Sequence, residues 1–132
     1  MDRQSVVRIL VVEDNPFWQG VIVRKLREQP NLQVMAVVSD GVGAVQEAEE
    51  LQPDLMLLDL GLPRLNGMEV AKRVRTVAPE TRILIVSGES CSDSIREATR
   101  VGALGYVHKL EVENELLPAI QAVLGETVPS RC

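Results

Sequence analysis

Two kinds of apolar pattern alternate along the chain. Short continuous apolar runs, each closed by a turn former or a charge, are separated by stretches whose apolar residues recur every three or four positions. The first kind suits a strand buried on both faces, the second an amphipathic helix. The clearest run is Leu55-Met56-Leu57-Leu58, opened by Pro53-Asp54, closed by Asp59 and stopped by Gly61 and Pro63. Residues 6–12, rich in β-branched side chains, form a second such run and end in Glu13-Asp14. Residues 32–38 lead to Ser39-Asp40-Gly41, residues 82–86 to Ser87-Gly88, and residues 104–108, flanked by Gly102 and Gly105, to Lys109.

Five helix patterns follow these runs, one after each. Asn15-Pro16 supplies a capping residue and a proline at the first helical position. The spacing of Trp18, Ile22 and Leu26, with Val21 beside them, predicts a helix to about Gln29, ended by Pro30-Asn31. Val45, Ala48 and Leu51 mark the second. Asn66 caps a third, whose Val70, Ala71, Val74, Val77 and Ala78 make the clearest stripe before Pro79 breaks it. The fourth, about 92–101, has only Ile95 and Ala98 as anchors and is expected to be weakly held. The fifth, about 112–124, aligns Leu116, Leu117, Ile120, Val123 and Leu124, and Gly125 stops it. Strict strand–helix alternation predicts an α/β fold with right-handed crossovers and helices on both faces of a parallel sheet. Residues 1–125 form this domain, and 126–132 read as a tail or the start of a linker.

At 132 residues, 45% hydrophobic and 25% charged, the chain fits one globular domain. Aromatics are 2%, so the core must be aliphatic. The net charge of -5 argues against direct nucleic-acid contact through a basic surface. The basic clusters Arg24, Lys25, Arg27 and Lys72, Arg73, Arg75 fall on helix patterns and read as solvated outer faces. Cys91 and Cys132 lack ligand spacing, and a single histidine rules out a Cys/His metal site. No disulfide framework, leader or apolar run near 18 residues is present. The expectation is a cytoplasmic protein without a membrane segment.

What ends each strand carries the chemistry. Open α/β sheets bind ligands at the carboxyl edge of their strands, at the topological switch point. In a flavodoxin-like (βα)5 order 2-1-3-4-5, strands one and three are neighbours there, which brings Glu13, Asp14 and Asp59 together. Three carboxylates repel one another unless a divalent cation is bound, and hard oxygen ligands suit Mg²⁺ (or Mn²⁺). Such a cation would let Asp59 attack a phosphoryl group in line. Lys109 would face the transferred oxygens and Ser87 would offer a hydroxyl. The product would be an aspartyl phosphate.

Glu13-Asp14, Asp59 after its apolar run, Leu62-Pro63, Asn66-Gly67, Ser87-Gly88 and Tyr106-Val107-His108-Lys109 together resemble the receiver domain of bacterial two-component response regulators. The resemblance covers roughly residues 7–125. The Asn66-Gly67-Met68-Glu69 spacing and the run from Gly102 to Lys109 look most like regulators with a helix-turn-helix DNA-binding output. The resemblance implies that Asp59 is the phosphoacceptor and Asp14 a direct metal ligand, with Glu13 acting through water and Gly61 offering its backbone carbonyl. It implies Lys109 as the receiver lysine, with Ser87 and Tyr106 as the switch pair. The donor would be a sensor histidine kinase or phosphotransfer protein. Phosphorylation would remodel the face of the fourth helix, fifth strand and fifth helix, a face that could also form a homodimer. The chain would catalyse only its own phosphorylation and dephosphorylation.

Two features depart from the pattern. Leu110 stands where receivers often carry a proline after the lysine; a cis bond there would cost about 3 kcal/mol, so a trans bond and a shifted loop are expected. No DNA-binding domain follows, and the Gly125-Glu126-Thr127-Val128 tail favours a fragment over a stand-alone receiver. Blander roles stand beside the sharper ones: Asp59 as a turn or cap residue, Glu13 as a surface charge, Ser87 as a turn former, Lys109 as a solvated edge lysine, Tyr106 as strand filler. His108, one residue off the lysine, is expected to face the other way, and Trp18 to pack near the site. Three rivals remain. An aspartyl-phosphate phosphatase would want a second carboxylate where Gly61 stands. A receiver reduced to a scaffold fits poorly with an intact acidic pair, acceptor and lysine. A flavodoxin-like cofactor binder would need a Gly-rich loop after the first strand.

Overall fold

In a computed structural model, which describes residues 6–88 and 92–125, the chain alternates strand and helix from end to end. Both cysteines and the tail 126–132 lie outside the described residues. The elements are β1 (Val7–Val12), α1 (Pro16–Leu26), β2 (Leu32–Val38), α2 (Gly41–Leu51), β3 (Leu55–Leu58), α3 (Gly67–Val77), β4 (Arg82–Ser87), α4 (Ser92–Arg100), β5 (Gly105–His108) and α5 (Val112–Leu124), with a 3₁₀ turn Lys109–Glu111 before the last. The five strands pair in parallel in the order β2-β1-β3-β4-β5. That is the flavodoxin-like order expected from the alternation.

The period of two in the strands sorts the core into two halves. Leu10, Val12, Met56, Leu58, Ile83 and Ile85 pack with Ala44, Ala48, Val70, Ala71, Val74 and Ala98 from α2, α3 and α4. Ile9, Val11, Leu55, Leu57, Leu84, Val86 and Val107 pack with Ile22 and Leu26 of α1 and with Leu116, Ile120 and Val123 of α5. Successive side chains of a strand point to opposite faces, so each central strand feeds both halves. This is why β3 reads as an unbroken apolar run: all four of its residues are buried. Burying one side chain of this size is worth about 2 kcal/mol.

The helix starts follow the capping residues. Asn15, Asp40 and Asn66 each accept a backbone N–H three residues on, from Trp18, Gly43 and Glu69. One boundary differs from expectation. α1 ends at Leu26, not near Gln29, because Glu28 N–H and Gln29 N–H turn back to the Lys25 and Leu26 carbonyls in tight three-residue bonds, starting the descent to β2 before Pro30 is reached. The thin anchoring expected of α4 agrees with its described side chains: among them Ala98 is buried and Ile95 half-buried, against four buried residues on α3. Among the described residues no helix is long and apolar enough to cross a membrane.

Candidate functional site

Parallel pairing sets the ends of β1 and β3 level, with Val12 beside Leu58. The next residues, Glu13 and Asp59, therefore leave the sheet side by side. Their backbones stay in the ladder: Asp59 N–H donates to the Val12 carbonyl at 3.1 Å, and Glu13 N–H to the Val38 carbonyl at 3.0 Å. The alternation within the strands then decides sides. Val11, Leu57 and Val107 face α1 and α5, and two residues on come Glu13, Asp59 and Lys109. All three meet there. Lys109 Nζ lies 3.2 Å from Asp59 Oδ2 and 2.9 Å from Glu13 Oε1. Asp14 is exposed beside them, and one oxygen from each of Glu13, Asp14 and Asp59 lies within 4.8 Å of the others.

Glu13 is the most deeply placed of the three, at 1% exposure, against 5% for Asp59. Its Oε2 accepts the Asn15 N–H at 3.0 Å. Its Oε1 is fully buried, with the Lys109 ammonium close by but off the hydrogen-bonding angle and no other partner among the described residues. Burial lifts the Glu13 carboxyl above its ordinary value of 4.5, and the Asp59 charge adds to the lift; Lys109 and the Asn15 N–H offset it only in part. Burial works against the Lys109 ammonium too, but Glu13 and Asp59 outweigh it and hold the lysine above its ordinary 10.5. Three clustered carboxylates, two of them paired with a single ammonium, leave excess negative charge and an incompletely satisfied oxygen. That donor set, all hard oxygens within a few ångströms, fits a small divalent cation that keeps waters in its remaining positions.

The β3–α3 loop is fixed by packing on both sides of the acid. Leu60 and Leu62 are buried, and Gly61 N–H donates to Asp59 Oδ1 at 3.2 Å. Gly67 N–H donates to the Leu60 carbonyl at 3.0 Å, so closely that a Cβ on Gly67 would lie 2.6 Å from the Asp59 carbonyl oxygen. Arg64 takes a left-handed conformation (φ 72°) and reaches Asp40 at 3.7 Å, tying this loop to the start of α2.

Ser87 ends β4 opposite His108 and is buried at 1%. It has the strand parity of Ile85, the α2–α3–α4 side, and there half-buried Tyr106 packs and donates its O–H to the Ser87 carbonyl at 3.4 Å. The sequence-derived residues thus form two groups: Glu13, Asp14, Asp59, Gly61 and Lys109 in one, Ser87 and Tyr106 in the other. His108 does face away from the lysine's carboxylates. Its Nδ1 accepts the Leu110 N–H at 3.1 Å, capping the 3₁₀ turn, and the Lys109–Leu110 bond is trans, since no cis bond occurs among the described residues.

Sequence reasoning missed two groups. Gln19 Nε2 donates to the Glu13 carbonyl at 2.6 Å and reaches Ser39 Oγ at 3.4 Å, bracing the first loop against the second. Trp18, expected only to pack nearby, has the Lys109 ammonium 5.8 Å from its ring centroid. The usable signal was its place in the first turn after Asn15-Pro16, which keeps it at the sheet's carboxyl edge.

A family model for the response regulator receiver domain matches residues 9–121. Protein-glutamate methylesterase/protein-glutamine glutaminase 5 of Geobacter metallireducens is 37% identical over 110 residues, 82% of this chain and 30% of that protein. The virulence factors putative positive transcription regulator BvgA of Bordetella pertussis is 32% identical over 117 residues, 89% of this chain and 56% of its own length. The chain thus spans 30% to 61% of the length of curated relatives it matches. Among solved structures, the receiver domain of a Pseudomonas aeruginosa sensor histidine kinase, with magnesium ion coordinated in its active site cleft, superposes with a TM-score of 0.81 at 29% identity, covering 92% of this chain and all of that one.

Proposed function

Because the chain belongs to the response regulator receiver domain family, we propose that Asp59 is the phosphoacceptor of its two-component phosphorelay. The observation that carries this reading is the ammonium of Lys109 held 3.2 Å from Asp59 Oδ2 inside a cluster of three carboxylates. A phosphohistidine on a sensor kinase or phosphotransfer protein is the donor. Its N–P bond breaks, the electron pair returns to the imidazole, and a carboxylate oxygen of Asp59 forms the new P–O bond.

Asp14 and Asp59, the Gly61 carbonyl, and Glu13 through water would hold Mg²⁺ or Mn²⁺. Bound there, the cation would supply positive charge to offset that of the incoming phosphoryl group, while Asp59 presents its carboxylate oxygen to the phosphorus. Lys109 exchanges its contact with Asp59 Oδ2 for a phosphoryl oxygen, and the Ser87 hydroxyl donates to another. Tyr106 follows Ser87, and the α4–β5–α5 face carries the change outward, because α4 is the lightly anchored helix on that side. Residues 1–125 act as the receiver and 126–132 begin a tail or linker. The output is transcription regulation through a helix-turn-helix domain, the receiver making no nucleic-acid contact of its own. The chain works in the cytoplasm, catalyses only its own phosphorylation and dephosphorylation, and can dimerise through α4–β5–α5.

Intact-mass measurement after acetyl phosphate and Mg²⁺ tests the assignment. One base-labile phosphoryl group is expected on the wild type and none on Asp59→Asn. Uptake by Asp59→Asn would overturn it.

A further inference from the structure

An ammonium has three N–H bonds to direct. Lys109 donates to Asp59 Oδ2 at 3.2 Å and pairs by charge with Glu13 Oε1 at 2.9 Å. On another side, 5.8 Å away, lies the ring centroid of Trp18. That distance is within the reach of a cation–π attraction. Placement is consistent with it. α1 packs on the face toward which Glu13, Asp59 and Lys109 project, and Trp18 stands in its first turn. The ring is itself held. Phe17 meets it edge-on, with centroids 5.1 Å apart and planes at 79°, and the Trp18 backbone N–H is fixed by the Asn15 Oδ1 cap at 3.2 Å. Phe17 is 67% exposed. Phe17 and Trp18 are two of the three aromatic residues in the chain, and they stand together at the start of α1, where Trp18 meets the lysine.

We propose that Trp18, braced by Phe17, is a positioning residue for phosphoryl transfer: its ring face holds the Lys109 ammonium at the pocket while that ammonium moves from the Asp59 carboxylate to the phosphoryl group. The proposal rests on the phosphoacceptor assignment above. The reasoning is electrostatic. In the resting site Lys109 is shared by two carboxylates. Once Asp59 carries a phosphoryl group, the charge the lysine must meet lies further out. A flexible four-carbon chain could then follow Glu13 inward or leave for solvent. A ring face beside the path offers attraction without a competing negative charge, so it holds the ammonium near the mouth without adding to the repulsion there.

The test uses Trp18→Phe and Trp18→Leu in the full chain, with acetyl phosphate and Mg²⁺. Both variants keep an apolar body, but only phenylalanine keeps a π face. The phosphorylation rate constant should fall about two- to fivefold in Trp18→Leu and be largely restored in Trp18→Phe. A purely packing role would be met by leucine as well as by phenylalanine. Trp18 is also the only tryptophan in the chain, so its emission should change with the same rate constant as the gain in mass. Equal rates in Trp18→Leu and wild type, or phosphoryl uptake with no change in emission, would overturn the proposal and leave the acceptor assignment standing. A wild type that takes up no phosphoryl group would overturn the assignment itself, and the proposal with it.

Discussion

α3 and α4 lie on the same face of the sheet and are held there very differently. α3 buries Gly67, Val70, Ala71 and Val74, is capped by Asn66, and sets its first residue against the Asp59 carbonyl. α4 has Ala98 buried and Ile95 half-buried, and its surface ion pairs, Arg96 with Asp93 and Arg100 with Glu97, join exposed or half-exposed groups. Such pairs contribute little. The contrast separates two duties. On the proposed phosphoacceptor reading, a helix that fixes Asp59 must not move, whereas one that would report through Ser87 and Tyr106 has to move at low cost.

The largest expected effect is at the fixed helix. Gly67→Ala would drive a Cβ into the Asp59 carbonyl oxygen and the Leu60 Cα, both at 2.6 Å. Backbone cannot yield as a side-chain tip can, so urea denaturation should register a loss of about 3 kcal/mol. Phosphoryl uptake should slow as Asp59 is displaced. Next, Val74→Ala should cost about 2 kcal/mol and half-buried Ile95→Ala under about 1 kcal/mol. Equal losses would erase the contrast.

Metal sharpens it further. Mg²⁺ at ten times its Kd should add about 1.4 kcal/mol of stability. Hydrogen exchange should show that gain in the α3 amides, expected to open with the whole fold, and little of it in α4, expected to open locally. Asp14→Asn should shrink the α3 gain.

The smallest effect is set by pH. Because the folded protein holds the Glu13 carboxyl above its ordinary 4.5, the folded state binds that proton more tightly than the unfolded chain. Its contribution to stability is complete below about 4.5 and is lost as pH rises through the folded value. Without metal, Glu13→Gln should therefore raise thermal stability at pH 7 and change it less at pH 4.5. A raised lysine has the same sign: the contribution of Lys109 holds below 10.5 and is lost above its folded value.

The fold was legible because strand runs and helix stripes differ in period, and because caps such as Asn66 mark their own position. Asp59, Glu13 and Lys109 were legible for the same reason: each immediately follows a strand, and parallel register aligns those ends. Contacts that depend on how a helix lies across the sheet were not legible. Trp18 belongs to the stripe of Ile22 and Leu26, and only the placement of α1 beside α5 on that face of the sheet reveals that one end of that stripe meets the lysine. The early end of α1 was hidden because Pro30 looked like the stop, whereas tight turns act first. The turn at Lys109–Glu111 depends on a histidine side chain accepting a backbone N–H, which spacing does not announce.

The odd–even order of the strands has a last consequence. Tyr106 and Lys109 stand three positions apart, an odd number, which is why the phenol belongs to one half of the molecule and the ammonium to the other. Losing a single residue between them would send both to the same half and strip the acid of its counter-charge, even with every side chain retained. This rim can vary its letters but must keep its count.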